Sequence, residues 1–200
     1  MRFRADIQAL RGIAVLLVIV QHAREGLVQA GYLGVDIFFV VSGFLITGLL
    51  ARAIEAGNFS FGEFYFRRAK RLLPAAYVTF AVTALFAALL LDLGEWRDFC
   101  RQLAGAVTFT ANFVLWKQTG YFEGAASLKP LLHVWSLSLE EQYYLLAPAT
   151  MVLLPRRYWT AAAAVVFAAS FRLYLWLAPR DPSSAFYLLP VVYGVIGRYV

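Results

Sequence analysis

The chain has 200 residues, of which 62% are hydrophobic and 16% aromatic, and its mean hydropathy is +0.67. A soluble globule of this length has too little interior to hide so much apolar surface, so the composition indicates a multi-pass membrane protein. The net charge of +6, from 18 basic and 12 acidic residues, fits the cytoplasmic loops of such a protein and not a nucleic-acid partner. The lone Cys100 excludes a disulfide framework within the chain, and polar low-complexity tracts of the kind disorder needs are missing from the sequence.

A membrane span needs roughly 20 mostly apolar residues. Candidate spans fall at residues 7–23, 31–50, 74–93, 99–116, 133–154 and 158–178, with a seventh stretch at 185–200. The expected fold is therefore all-α, a transmembrane helical bundle with six to seven spans. It forms one domain over residues 1–200, with no separate soluble domain. The N-terminus imitates a signal peptide, with basic MRFRADIQALR before a short apolar core. A second apolar segment follows closely, which favours an uncleaved first helix of a hairpin. The third span is the cleanest, with Asp92 near its end. The fourth is the weakest, because Arg101, Gln102, Thr108, Thr110 and Asn112 interrupt it, and re-entry is the alternative to crossing.

Residues 51–73 hold Arg52, Arg67, Arg68, Lys70 and Arg71 against Glu55 and Glu63, which puts this segment and the N-terminus in the cytoplasm. Strict alternation then puts Arg156 and Arg157 outside. A re-entrant fourth segment returns them inside.

Charged side chains in apolar spans carry the chemical information. In the first span Arg11 and His22 are eleven positions apart, so they share one helix face about 16 Å apart along the axis. They can meet two ends of one elongated ligand, or Arg11 can snorkel while His22 caps the other end. In the second span Asp36, Gly43 and Thr47 share a face, and Asp36 needs a basic partner, as a functional or a purely structural pair. Ser60 and Glu63 form a possible capping box ahead of FYFRRAKRLLP, an aromatic and basic stretch suited to an interfacial helix. Its arginines can hold anionic lipid or the phosphates of a cytoplasmic ligand. Pro74 is expected to open the third span. In the fifth, His133, Ser136, Glu140 and Tyr144 share one face, and Glu140 and Glu141 are expected to divide between interior and interface. Arg172 is a further intramembrane charge, with Asp36 or Glu140 as its expected partner. Two histidines 111 positions apart, without paired cysteines or an HExxH pattern, give no metal site. Phosphate-binding glycine loops and a GxSxG elbow are likewise missing.

Four stretches in this order, ADIQALRGIAVLLVIVQHA, GYLGVDIFFVVSGFLITGLL, FYFRRAKRLLP and LLHVWSLSLEEQYYLLAP, resemble the acyltransferase 3 family of integral-membrane O-acyltransferases. The family's Arg-x10-His motif falls on Arg11 and His22, its RRxxR motif on Arg67, Arg68 and Arg71, and its SLSLE-type motif on residues 136–140, which include Ser136, Ser138 and Glu140. The resemblance implies a bundle of about ten helices, so the chain is expected to be a partial domain. It implies transfer of an acyl group, commonly acetyl, from cytoplasmic acyl-CoA to a carbohydrate hydroxyl of the bacterial cell surface, such as lipopolysaccharide, or of a membrane-borne precursor. The enzyme would sit in the inner membrane. Acyl-CoA would be a co-substrate, with no tightly bound cofactor, metal or nucleic acid.

On this reading Arg11, Arg67, Arg68 and Arg71 hold the CoA phosphates. His22 is general base or transient acyl carrier, and Glu140, or Asp36 in its place, orients His22 or relays its proton. Ser136, Ser138, His133 and Arg172 are expected in supporting positions. The rival readings are a transporter or exporter component, with the same charges lining a path, and a non-catalytic membrane remnant.

Overall fold

The computed structural model describes residues 5–23, 33–118 and 129–188, and the described regular structure is helical throughout. The helices are α1 (Ala5–Ala23), α2 (Leu33–Glu55), α3 (Phe61–Leu90), α4 (Leu93–Val107), α5 (Ala111–Lys117), α6 (Val134–Leu153), α7 (Trp159–Leu177) and α8 (Pro182–Leu188), with a single 3₁₀ turn at Arg156–Tyr158 before α7. Among the described residues, three elements are long and apolar enough to cross a bilayer: Leu33–Glu55, Phe61–Leu90 and Arg156–Leu177. Large apolar side chains such as Leu85, Leu89, Leu90 and Val165 point outward, and of α7 only Tyr174 is buried. Outward apolar faces suit hydrocarbon, and the chain is a membrane helical bundle.

Three sequence expectations are corrected. The interfacial stretch and the third span are one continuous helix, with Pro74 inside α3 instead of opening a new one. The polar groups of this helix are absorbed locally: the hydroxyls of Thr79 and Thr83 donate back to the carbonyls of Ala75 and Thr79, at 2.9 and 2.8 Å. The capping box at Ser60 is only half made. The Glu63 N–H donates to Ser60 Oγ at 3.4 Å, but the Glu63 carboxylate turns to Arg67 instead of back to the cap. The complete capping box stands at Asp92, whose carboxylate accepts from Gly94 and Glu95 N–H at 2.8 Å while Glu95 accepts from Asp92 N–H at 3.1 Å. Asp92 thus starts α4 instead of ending the third span.

The third correction concerns residues 99–116, which form no single span. The helix stops at Thr108, Phe109 takes a left-handed φ of 54°, and α5 folds back against α4. Gly105 permits this return, since a Cβ there would lie 2.8 Å from Val114 Cγ2 and 3.0 Å from Ala111 Cα. The turn is held by polar side chains. The Ala111 N–H donates to Ser138 Oγ at 3.2 Å, and Gln142 Nε2 donates to the Phe109 carbonyl and to Asn112 Oδ1, both at 2.9 Å. Asn112 Nδ2 donates to the Tyr187 carbonyl at 3.2 Å, and buried Gln102 donates to Gln118 at 3.0 Å. Irregular backbone in a helical packing must find partners within the protein, and these side chains supply them.

Helix directions follow from pairs of contacts. The Tyr65 hydroxyl donates to the Leu145 carbonyl at 2.8 Å, and Arg68 pairs with Glu141, so α3 and α6 run antiparallel. Phe39 packs on Trp135 and Thr47 bonds Tyr143 at 2.7 Å, so α2 and α6 run parallel. The Phe61 end of α3 and the Leu153 end of α6 therefore lie together, and α4 and α5 leave from and return to the opposite end. At the shared end Leu50, Phe64, Ala147 and Met151 form one apolar cluster, with Phe59 and Trp159 against it. Arg156 Nε pairs with Glu55 Oε1 at 2.9 Å across an exposed surface. Arg156 thus lies at the same end as the basic 51–73 segment, the arrangement that a re-entrant fourth segment requires.

The α8 helix begins at Asp181, whose carboxylate accepts from the hydroxyl and the N–H of Ser184. These bonds hold the acid below the usual carboxylate range. The seventh stretch continues beyond α8 at 189–200, outside the described residues.

Candidate functional site

Helices α1 and α2 form an antiparallel pair. Their closest approach is at Gly34, where a Cβ would stand 2.3 Å from the Ala14 carbonyl oxygen and 2.8 Å from Val18 Cγ2. Three positions earlier in α1, the Arg11 guanidinium lies 5.0 Å from the centroid of the Phe38 ring, a cation–π contact. Arg11 is thus nearer the basic end of the bundle. His22 stands in the last turn of α1, toward the other end, and its side chain lies outside the described residues.

The α1–α2 pair meets α6 around a cavity of about 240 Å³. From α1 it is lined by Ala14, Val15, Val18 and Ile19, from α2 by Gly34, Val35, Phe38 and Phe39, and from α6 by Ser136, Leu137 and Glu140. Among the described residues its wall is almost wholly apolar, and Glu140 is the only carboxylate that lines it. The α1 face that lines it is the face that continues, one turn beyond Val18, to position 22. Asp36 sits half-buried in the first turn of α2, between Val35 and the phenylalanines but outside the lining itself.

Beneath Glu140 lies a connected polar cluster. Arg68 makes a bidentate pair with Glu141, Nε to both carboxylate oxygens at 3.1 Å and Nη2 to Oε1 at 2.6 Å. Both side chains are largely buried, at 22% and 14% exposure. The same guanidinium lies 3.1 Å from the centroid of the Tyr144 ring, and the Tyr144 hydroxyl donates to Glu140 Oε1. Glu140 and Glu141 have different surroundings but do not divide between interior and interface: Glu140 lines the cavity, while Glu141 is held by Arg68 between helices.

The three arginines of the 67–71 motif have separate surroundings. Arg67 is exposed and pairs with Glu63 on its own helix, Arg68 is committed to Glu141, and Arg71 is exposed and makes no ion pair among the described residues. Ser136 lines the cavity and donates to the His133 carbonyl at 3.1 Å, while Ser138 is fully buried and supports the turn between α4 and α5. His133 is exposed at the N-cap of α6, with no side-chain cap bond. Arg172 is exposed on α7 and makes no ion pair among the described residues, with Asp36, Glu140 or any other acid.

The Arg68–Glu141 pair escapes sequence reading because 73 positions separate its members. Removing one partner of such a pair leaves an uncompensated charge. Glu141→Leu is expected to destabilise the protein by about 3 kcal/mol, and Arg68→Met added to it to recover most of that loss. Thermal melting in detergent micelles reads both.

A family model described as an acyltransferase domain matches residues 4–200, and the chain belongs to the acyltransferase 3 family. The chain is 38% identical over 123 residues to a Haemophilus influenzae protein named "Uncharacterized protein", a match covering 62% of this chain and 50% of that one. It is 39% identical over 156 residues to a "Putative O-acetyltransferase" of Staphylococcus aureus, covering 77% of this chain and 26% of that protein. A "Putative peptidoglycan O-acetyltransferase" of Bacillus subtilis is 35% identical over 153 residues, covering 76% of this chain and 24% of the relative. The chain therefore spans between about a quarter and half of the length of these curated relatives. No solved structure matches it.

Proposed function

We propose that this chain forms part of an inner-membrane acyltransferase that moves an acyl group, acetyl in the simplest case, from cytoplasmic acyl-CoA to a hydroxyl of a cell-surface or membrane-borne carbohydrate. The observation that carries this reading is the cavity between α1, α2 and α6. Its wall joins the helix face leading to His22 with the carboxylate of Glu140. Family membership and the O-acetyltransferase names of the relatives support the chemistry.

In this reading the basic end of the bundle faces the cytoplasm. Exposed Arg67, Lys70 and Arg71 offer guanidinium and ammonium groups to the CoA phosphates, and Arg11 lies along the route from that end to the cavity. Arg68 acts from behind, as the counter-ion of Glu141. The apolar cavity wall receives the acyl end of the pantetheine arm and excludes water from the thioester. His22 takes the proton of the acceptor hydroxyl as its oxygen bonds to the thioester carbonyl carbon. The carbon–sulfur bond then breaks, and the departing thiolate takes the proton from the imidazolium. Glu140 stabilises the imidazolium charge while it lasts. Asp36 is the alternative carboxylate for that part.

The test is transfer of label from isotopically labelled acetyl-CoA into surface polysaccharide, using membranes that carry the protein. Label in the glycan that depends on both protein and acetyl-CoA is the expected result. Glycan movement without any need for acyl-CoA would favour a transporter, and no label at all would overturn the proposal.

A further inference from the structure

The geometry points to Tyr144 as the positioning residue for Glu140: its hydroxyl fixes one oxygen of the carboxylate that lines the cavity. This inference rests on the catalytic reading of Glu140 above and adds the group through which that carboxylate is held.

Tyr144 is 2% exposed, yet it lines no part of the cavity and touches the site only through its hydroxyl. The ring is held from two sides. The Arg68 guanidinium covers one face, and Tyr143 packs against it edge-on at 5.7 Å between centroids. Arg68 cannot swing away, because Glu141 clamps it with both oxygens. The clamp therefore runs from α3 through Arg68 to the Tyr144 ring, and from the Tyr144 hydroxyl to Glu140 Oε1. A glutamate on a helix has three rotatable bonds, and a donor four residues along the same face selects one arrangement of them. With Oε1 held by Tyr144, Oε2 makes no hydrogen bond among the described residues. A carboxylate that must meet an imidazole in a dry site gains its effect from being fixed before substrate arrives.

Tyr144→Phe keeps the ring under Arg68 and deletes only the donor. In the full-length protein in native membranes it is expected to lower kcat by about 10- to 100-fold, the effect of losing one charge-assisted hydrogen bond. KM for acetyl-CoA stays at the wild-type value, because the phosphate-binding end is untouched. Added to Glu140→Gln, the same substitution is expected to cost less than about threefold more, since the two residues act as one unit.

Wild-type kcat in Tyr144→Phe, with Glu140→Gln inactive, would overturn the positioning role and leave the catalytic reading of Glu140 standing. Wild-type kcat in Glu140→Gln would overturn both. A rise in KM with kcat unchanged would assign Tyr144 to packing alone and equally overturn the inference. If Tyr144→Phe fails to accumulate in membranes, Arg68→Lys, which keeps the counter-charge of Glu141 but no longer covers the Tyr144 ring, decides the matter. A fall in kcat at constant KM supports the clamp, and an unchanged kcat overturns it.

Discussion

Glu140→Gln is expected to lower acyl transfer by about 10²- to 10⁴-fold, the usual contribution of a positioned acid–base group. Glutamine is the informative replacement. Its amide oxygen still accepts from the Tyr144 hydroxyl, and its volume still fills the same part of the cavity wall. Only the negative charge disappears. The thermal stability of the bundle should therefore change little, while kcat falls and KM for the acyl donor stays near wild type. The comparison with Asp36→Asn separates the two carboxylates. Asp36 is half-buried beside the cavity but outside its lining, so its neutralisation is expected to reduce turnover far less than that of Glu140. Parallel measurement of kcat and KM for both variants, together with melting curves in micelles, checks the pair. A larger loss in Asp36→Asn than in Glu140→Gln would transfer the role to Asp36.

Among the described glycines, Gly34→Ala is expected to be the most damaging substitution. The new Cβ would stand 2.3 Å from the Ala14 carbonyl oxygen, and the obstacle is helical backbone with no rotamer to change. Helix α1 must move away from α2, and with it the wall formed by Ala14, Val15, Val18 and Ile19. Overpacking at such a contact costs about 1–3 kcal/mol and sometimes more. The larger consequence is functional, because His22 rides on the same helix. On the proposed mechanism, displacement of α1 by one ångström at Gly34 also displaces His22, and loss of about 100-fold in turnover is expected. Gly43→Ala serves as the control, since nothing lies within 4 Å of a Cβ there. Turnover and melting temperature of Gly43→Ala should match the wild type.

Much of the scaffold is legible from the chain alone, because apolar runs of span length leave few alternatives. The second, fifth and sixth candidate spans correspond to α2, α6 and α7 with ends shifted by a few residues. The shared face of Ser136, Glu140 and Tyr144 is also legible, since helical spacing fixes it. The polar residues that weaken the fourth span are the signal for its break: Gln102 and Asn112 are buried, and Thr110 stands beside the left-handed Phe109. Pro74 misleads, because the rule that proline opens a helix is weaker than the demand of an apolar α3 for continuous backbone pairing. The partners of Arg68 and Arg156 are beyond sequence reasoning. Both pairs join residues that meet only after several helices have packed, and charge counting cannot choose among the acids present.

The return of α5 against α4 also fixes an order of events during synthesis. The Phe109 carbonyl and the Ala111 N–H are served by Gln142 and Ser138, and Asn112 reaches forward to Tyr187. Those partners lie 33, 27 and 75 residues farther along the chain. None of these bonds can form until the residues that supply them have been made and folded. The tip of the hairpin is therefore closed only once α6 has packed against it, and the Asn112 bond only after α8.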